Sequence, residues 1–521
     1  MEAQQQIAIP DFPPKFIRRK DLTLYIRMAI VIQAYNIQTT NIWGGITDLA
    51  KEYQISRVFI YHLLSIFKEG MGELFFPQTK AVFITKPEIE ANILAYRFEG
   101  KCSIDATSTL MKRAGIPLAA TGTISQCLSY TGKILGNTLE NESSEVKLLV
   151  FADDEVFAKG APILITVDPV SSAILRIELT DHRTAEVWSE HYKSILERGF
   201  VPRLITSDAG VAMLAARTQM LSDVPWQSDT FHGVAHRLGD WSRRLEKAAY
   251  AAIERADERE KKLNSAQSED VVNKRLNLCF DADRAAERAI ELYDNFSYLY
   301  RELIQQLNTF DSNGNLRPHD RAEEIMLVAL DLMESLEHNA INKKIATIKK
   351  ALPDLLTYFD DAKLALKACQ KLTTNTDALN ALCLAWQWNK VVIKSKQTHR
   401  KHKAVEQHQL NLELAALLIE DDEKFENLKE SIYAELDQII QASSMVECIN
   451  SLLRPYLNNS KNQITQEFLN TFMFYHNHRR YHAGKRKGKT PMEILTGKEQ
   501  KEEWITLLQR EVRKKEVLLA A

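Results

Sequence analysis

Hydrophobic positions change their period three times along this chain. From Leu22 to about Leu135 apolar residues recur at helical spacing, in short stretches separated by turn residues. At about Val146 the period shortens. KLLVFADDEVFAKGAPILITVDPVSSAILRIEL reads as three strand-like runs, divided at Lys159-Gly160 and at Pro169 to Ser172. An amphipathic helix is predicted over Thr184 to Arg198, then a strand over Arg203 to Thr206. From about Leu238 to about Ile439 the pattern is helical almost throughout, with polar breaks at DSNGNLRPHD and TTNTD. The last part holds a helix with Glu447, the polar NNSKNQITQ, the helix FLNTFMFYHNHRRYH, the basic AGKRKGKTP and a charged terminal helix. The order β-β-β-α-β predicts a mixed sheet flanked by helices. The helical block at 238–440 then reads as an all-α insertion, and the chain as mostly helical overall.

Two helix-turn-helix candidates precede the strands, in a region placed at 1–140 with units at about 22–70 and 84–135. In the first, Thr47 to Tyr53 is amphipathic, Ile55 fills the turn, Ser56 is a plausible N-cap, and Arg57 to Phe67 is the predicted recognition helix. In the second, Ser103 caps a helix to Arg113, AGIP makes the break, and a second helix runs from about Ala120 through Tyr130. Residues 1 to about 20 read as an irregular arm ending in the basic FIRRK.

Composition narrows the partners. The 521 residues are 45% hydrophobic and 26% charged, enough for several domains, and the formal net charge of -2 supplies no global field to attract nucleic acid. Any basic footprint must be local. Six cysteines without a Cys-x-x-Cys argue against a zinc ribbon or a disulfide framework and suit a reducing compartment. With no signal peptide and no apolar run near the ~20 residues that span a bilayer, the expectation is a cytoplasmic protein without a membrane partner.

Three acids stand out: Asp154 in LLVFADDEVF, Asp208 in PRLITSDAG and Glu447 in SSMVECINSLLRPYL. Two carboxylates at strand ends and one on a helix can hold a pair of Mg²⁺ ions roughly 4 Å apart, which activate a nucleophilic oxygen and stabilise the leaving oxygen at a phosphodiester. Asp153 competes with Asp154, because neighbouring strand residues face opposite sides. Asp208 reads equally well as a helix N-cap before GVAMLAA. Glu447 shares a helical face with Asn450, Ser451 and Arg454.

Together these blocks resemble the DDE transposases of bacterial insertion sequences, in the RNase H-like integrase superfamily. DEVFAKGAPILITVDPVSSAIL is similar to the first-strand block and favours Asp154 over Asp153, and PRLITSDAGVAML is similar to the second-Asp block. The segment from SSMVECINSLLRPYL to the Asn-His-Arg and Gly-Lys-x-Pro motifs is similar to the third. The resemblance implies an RNase H-like α/β core with a mixed five-stranded sheet over 146–237 and 441–497, with 498–521 as a charged terminal helix. It implies that Asp154, Asp208 and Glu447 are catalytic residues and ligands of Mg²⁺, with Mn²⁺ able to substitute. The implied partners are double-stranded DNA (element ends and target) and further copies of the chain. Glu447 stands 239 positions after Asp208, an interval that the helical insertion accounts for. In place of the Cys-x-x-His of many insertion-bearing families stands DTFHGVAH, and no role is transferred to His232 or His236.

DNA contacts are expected where basic residues cluster. In the C-terminal block these are Asn477, His478, Arg479, Arg480, Lys485, Arg486, Lys487 and Lys489, with Arg454 on the Glu447 helix. On the N-terminal helices they are Arg57, Tyr61, His62, Lys112 and Arg113. KSKQTHRKHK, Lys394 to Lys403, is a second cluster that reads either as a DNA contact or as a solvated helix face. Trp386 and Trp388, just before it, are expected to be buried. A non-catalytic DNA-binding protein and a nuclease that cuts without joining are the rival readings.

Overall fold

The computed structural model describes residues 21–75, 84–143, 145–208 and 210–520. The arm at 1–20, and Ala209 beside the second Asp, lie outside the described residues. The chain divides into two compact units, Met1–Thr85 and Lys86–Ala521.

The first unit is built of α1 (Leu24–Thr39), α2 (Gly45–Glu52) and α3 (Arg57–Phe75). Ile30, Ala34, Ile46, Leu49, Ile60 and Leu64 form its core. Ser56 Oγ accepts the Phe59 N–H at 3.1 Å, capping α3 as its sequence predicts. Arg57, Tyr61 and His62 are exposed on that helix.

In the second unit, α4 (Lys86–Leu94) runs into a π-helical turn at Ala95–Glu99, followed by α5 (Ile104–Arg113) and α6 (Thr121–Ile134). Ser103 caps α5 by accepting from Ala106 N–H at 3.1 Å, and Lys112 and Arg113 lie exposed at its end. The strands are β1 (Lys147–Ala158), β2 (Ala161–Val167) and β3 (Ile174–Leu179). Then come α7 (Ala185–Leu196), β4 (Phe200–Ser207), α8 (Val211–Met220) and a short β5 (Trp226–Ser228), which the sequence pattern does not mark out. The sheet order is β3-β2-β1-β4-β5, with β1, β2 and β3 antiparallel and β4 and β5 parallel to β1 and β4. Lys159 and Gly160 close the β1–β2 hairpin, both at positive φ as a two-residue turn demands.

A second π-helical turn at Phe231–His236 leads into eight helices: α9 (Arg237–Asn264), α10 (Glu269–Gln306), α11 (His319–Glu334), α12 (Asn339–Leu355), α13 (Tyr358–Leu372), α14 (Thr376–Lys394), α15 (Thr398–Ile419) and α16 (Asp422–Leu436). Their core includes Leu303, Met326, Ile345, Leu352, Leu382 and Trp386. Trp386 is buried as expected; Trp388 is half-buried. The chain then returns to the sheet as α17 (Ser444–Asn459), α18 (Gln466–His478), α19 (Pro491–Thr496) and α20 (Trp504–Ala520).

One sheet face packs on α7 and α8 through Phe151, Leu164, Leu175, Trp188 and Ile205. The other carries α17 and α18. Gly132 of α6 lies so close to α18 that a Cβ there would meet the Glu467 carbonyl oxygen at 2.0 Å. The α5–α6 pair is therefore fitted to the C-terminal helices within the larger unit. The α17 end is anchored through Tyr456, whose hydroxyl donates to Phe98 O at 2.6 Å among the rings of Phe468, Phe472 and Tyr475. Among the described residues no helix is long and apolar enough to cross a membrane.

Candidate active site on the open face of strand β1

Strand alternation sends Asp153 and Asp154 to opposite faces. Asp153 is fully buried against α7, whereas Asp154 is half-buried beneath α17. Asp154 Oδ1 accepts the Glu155 N–H at 2.8 Å, and Oδ2 accepts from Asn450 Nδ2 at 2.7 Å. Burial pushes the Asp154 carboxyl up to about 6, and the nearby charges of Asp208 and Glu447 push the same way. The three acids, from β1, the end of β4 and the first turn of α17, thus share one electrostatic environment.

Asp208 is exposed just past β4, and its Oδ1 accepts Gly210 N–H at 3.1 Å. It is not the N-cap of α8, a position that Gly210 occupies. Glu447 is hydrogen-bonded to His232 Nε2. Burial opposes a charge on His232, but the bond to Glu447 and the fields of Asp229, Glu447 and Asp208 outweigh it and raise its pKa. His232 is held by Asp229, whose Oδ1 accepts His232 N–H at 2.9 Å while Oδ2 accepts Ser443 N–H and Oγ–H at 2.8 and 2.7 Å. One buried aspartate therefore ties the π-turn before the insertion to the start of α17 after it.

Sequence reasoning left His232 without a role and missed Asp229. The signal was their spacing: Asp229 stands three residues before His232, where the expected motif has its cysteine. Such π-turns recur at functional sites because they re-aim one side chain out of the helical register.

Carboxylate and amide oxygens are hard donors suited to Mg²⁺, and crowding three acids raises the cost of keeping all of them ionised without a cation. The donor chemistry therefore fits such an ion. Among the described residues, no three His, Cys, Asp or Glu side chains converge closely enough to cage a metal as they stand. Glu447 turns its Oε1 to His232. On the far side of Asp154 and Asp208 lies a cavity of about 540 Å³, bordered by Phe157, Arg183, Val211 and Met213. Arg183 pairs with Glu155 at 2.9 Å and lies over the Phe157 ring.

Behind β1 the buried face carries a chain of polar contacts. Asp153 Oδ1 is 2.6 Å from Thr166 Oγ1, which is 3.1 Å from His191 Nε2; His191 Nδ1 is 3.2 Å from Glu178 Oε2. Tyr192 donates to the other Asp153 oxygen at 2.9 Å. With Asp153 and Glu178 ionised and His191 neutral, two acceptors would face each other somewhere along this chain, so it needs one more proton. Burial pushes Asp153 up to about 7 and His191 down to about 4. Burial thus disfavours the charged form at both Asp153 and His191, while Thr166 Oγ–H and Tyr192 O–H each donate to one Asp153 oxygen.

The basic C-terminal segment is less open than its sequence implied. Asn477 is buried, with its Oδ1 accepting Ile174 N–H at 2.8 Å and its Nδ2 donating to Ile174 O at 2.9 Å. It joins α18 to β3 and does not face a nucleic acid. His478 is held by Gln500, and burial lowers its pKa. Arg480 is bidentate on Glu493 at 2.9 and 3.0 Å, and Arg486 donates to Pro169 O and Val170 O. These three hold loops together, for the physical reason that cations near buried backbone must find acceptors. Arg479 lies between the Tyr475 and Tyr481 rings. Lys485 pairs with Asp437, while Lys487, Lys489 and Arg454 are exposed.

No family model matches the chain, and no curated protein matches it. Among solved structures it is similar to a chain of the Drosophila P element transposase strand transfer complex, at 15% identity, covering 69% of this chain and 99% of that one, with a TM-score of 0.29. Backbones that superpose so loosely carry no argument about activity.

Proposed function

We propose that this chain is a DNA transposase with an RNase H-like catalytic core, cutting phosphodiester bonds at element ends and joining the freed 3′-hydroxyls to target DNA. The observation that carries the reading is the meeting of Asp154, Asp208 and Glu447 in one electrostatic environment, although Glu447 stands 239 positions after Asp208. The sheet order β3-β2-β1-β4-β5, with three antiparallel strands followed by two parallel ones, supports the same reading.

Asp154, Asp208 and Glu447 would hold Mg²⁺. When bound, such ions supply a water or 3′-hydroxyl of lowered pKa and a counter-charge for the leaving oxygen. Asn450 fixes the rotamer of Asp154 by its bond to Oδ2, and Glu155 N–H fixes the other oxygen. His232 orients Glu447 through its Nε2 contact to Oε1. The exposed Arg57, Tyr61 and His62 of α3 fit recognition of element ends, and Arg454, Lys487 and Lys489 fit phosphate contacts near the cut. Because two ends must be processed together, a dimer or larger assembly of the chain follows from the reaction.

The test uses purified full-length chain and DNA carrying the sequences that flank its gene. Mg²⁺-dependent nicking at the element ends, and joining of pre-cleaved ends to a plasmid, are expected. Asp154→Asn, Asp208→Asn and Glu447→Gln should each lose both while still binding the ends. Cutting that survives any of these substitutions overturns the assignment, and cutting without joining reduces it to a nuclease.

A further inference from the structure

The insertion and the C-terminal block bring three lysines to one place. α14 ends at Lys394, and Lys390 lies one turn earlier. Lys390 Nζ stands 3.6 Å from the centroid of the Trp386 ring. Trp386 Nε1 donates to Asp437 Oδ1 at 3.1 Å, and Asp437 Oδ2 takes Lys485 Nζ at 3.0 Å. Asp437 is thus already shared by an indole and an ammonium. Burial pushes Lys390 well below its ordinary pKa, and Lys394 and Lys485 push it further. Lys394 is lowered by burial too, and Lys485 adds to it. Among the described residues no carboxylate lies within ion-pair distance of Lys390 or Lys394. Asp229, which acts on Lys394 from a distance, is occupied by Ser443 and His232 N–H.

Three ammonium groups, of which only Lys485 has a carboxylate at ion-pair distance, form a site short of negative charge. A phosphate group supplies it, with oxygens for several N–H donors at once. We propose that Lys390, Lys394 and Lys485 form a phosphate-binding site for a phosphodiester of the DNA strand that leads to the Asp154–Asp208–Glu447 centre. Its use of DNA rests on the function proposed above. The link to the centre is short: Lys394 lies in the field of Asp229, which holds the His232 turn, and His232 holds Glu447. The cation–π contact fixes the Lys390 stem in the free protein, so little side-chain freedom is lost on binding.

The experiment is lysine footprinting of the full chain with an amine-acylating reagent, read by mass spectrometry, with and without duplex DNA or inorganic pyrophosphate. DNA should reduce labelling of Lys390 and Lys394 severalfold, and pyrophosphate at matched phosphate concentration should do so far less. In parallel, Lys390→Met keeps the aliphatic packing on Trp386, and Lys394→Gln changes the last residue of α14 without touching that packing, so the site stays testable should the first variant fold poorly. Each should flatten the dependence of log affinity on log salt by about one, the loss of one phosphate contact. Unchanged salt dependence with both lysines still labelled in the DNA complex overturns the inference. Protection by pyrophosphate but not by bound DNA overturns the strand as occupant. A wild-type chain that binds no DNA sinks the functional reading instead, and pyrophosphate protection alone then decides the anion site.

Discussion

The two faces of strand β1 hold acids in opposite ways. On the buried face, Asp153 is stripped of water and tied through Thr166 to His191 and Glu178, with Tyr192 on its other oxygen. On the open face, Asp154 is bound by Asn450 and a backbone N–H and crowded by Asp208 and Glu447. A closed network of buried polar contacts suits a core. An acid cluster with surplus negative charge fits the cation proposed above. The contrast is broken most directly by removing each charge in place. Asp154→Asn should reduce DNA cutting by more than the roughly 10²-fold that loss of an outer-shell partner costs. Asp153→Asn should leave the rate within a few-fold at pH 7, because Asn keeps the shape of a side chain that is buried on the face away from the acid cluster. Equal loss in a cleavage assay of the two folded variants would erase the distinction between the faces.

The next largest effect is in acid. Asp153 has a folded pKa of about 7, above its ordinary value, so the native state binds its proton first and this group's contribution to stability grows as pH falls from 7 toward the ordinary carboxylate range. His191, lowered to about 4, has the opposite sign: its contribution is complete above the ordinary histidine value and is lost as pH falls from there toward 4. In the wild type the two largely cancel. At about 1.4 kcal/mol per pH unit, Asp153→Asn removes only the compensating arm. Its stability should therefore fall behind wild type by a few kcal/mol between pH 7 and pH 4. Parallel curves from denaturant titrations across that range would show that burial does not raise the Asp153 carboxyl.

On the open face, Asn450 is the residue whose loss should register next. Asn450→Ala frees Asp154 Oδ2. A drop in rate of roughly 10- to 100-fold is expected, with the Mg²⁺ requirement shifted to higher concentration and the unfolding midpoint little changed. A fall in unfolding midpoint with no change in Mg²⁺ dependence would make Asn450 a packing residue only.

How much of this was legible in the sequence depends on how local each cause is. Strand alternation at Asp153-Asp154, the Lys159-Gly160 turn and the Ser56 and Ser103 caps are set by neighbours in the chain, and the structure has them where the pattern predicts. β5 is three residues long and gains its strand character only from pairing with β4, so its own sequence could not announce it. His232 and Asp229 acquire partners 214 to 215 positions away, across the insertion. Asn477, Arg480 and Arg486 mislead for the converse reason. Basic and polar composition reads as surface, whereas Glu493 and the Ile174, Pro169 and Val170 backbone groups that engage these side chains come together only in the fold.

The smallest effect expected is at the rim of the open face. Arg183 pairs with Glu155 at 2.9 Å, but its side chain is 62% exposed, and the Glu155 carboxylate also accepts from Trp188 Nε1 at 3.0 Å. An ion pair with one partner in water stabilises little, since solvent screens it and ordering a long side chain costs entropy. Arg183→Gln should therefore leave the unfolding midpoint almost unchanged, and more nearly so in high salt. The same substitution removes the only cation bordering the cavity beside Asp154 and Asp208 among its described lining residues. Its effect should thus appear as weaker binding of DNA carrying the cleavage site, with folding nearly untouched. A large destabilisation, measured by denaturant titration, would mean that the rim is built like the buried face and that the opposition between the two sides of β1 is not real.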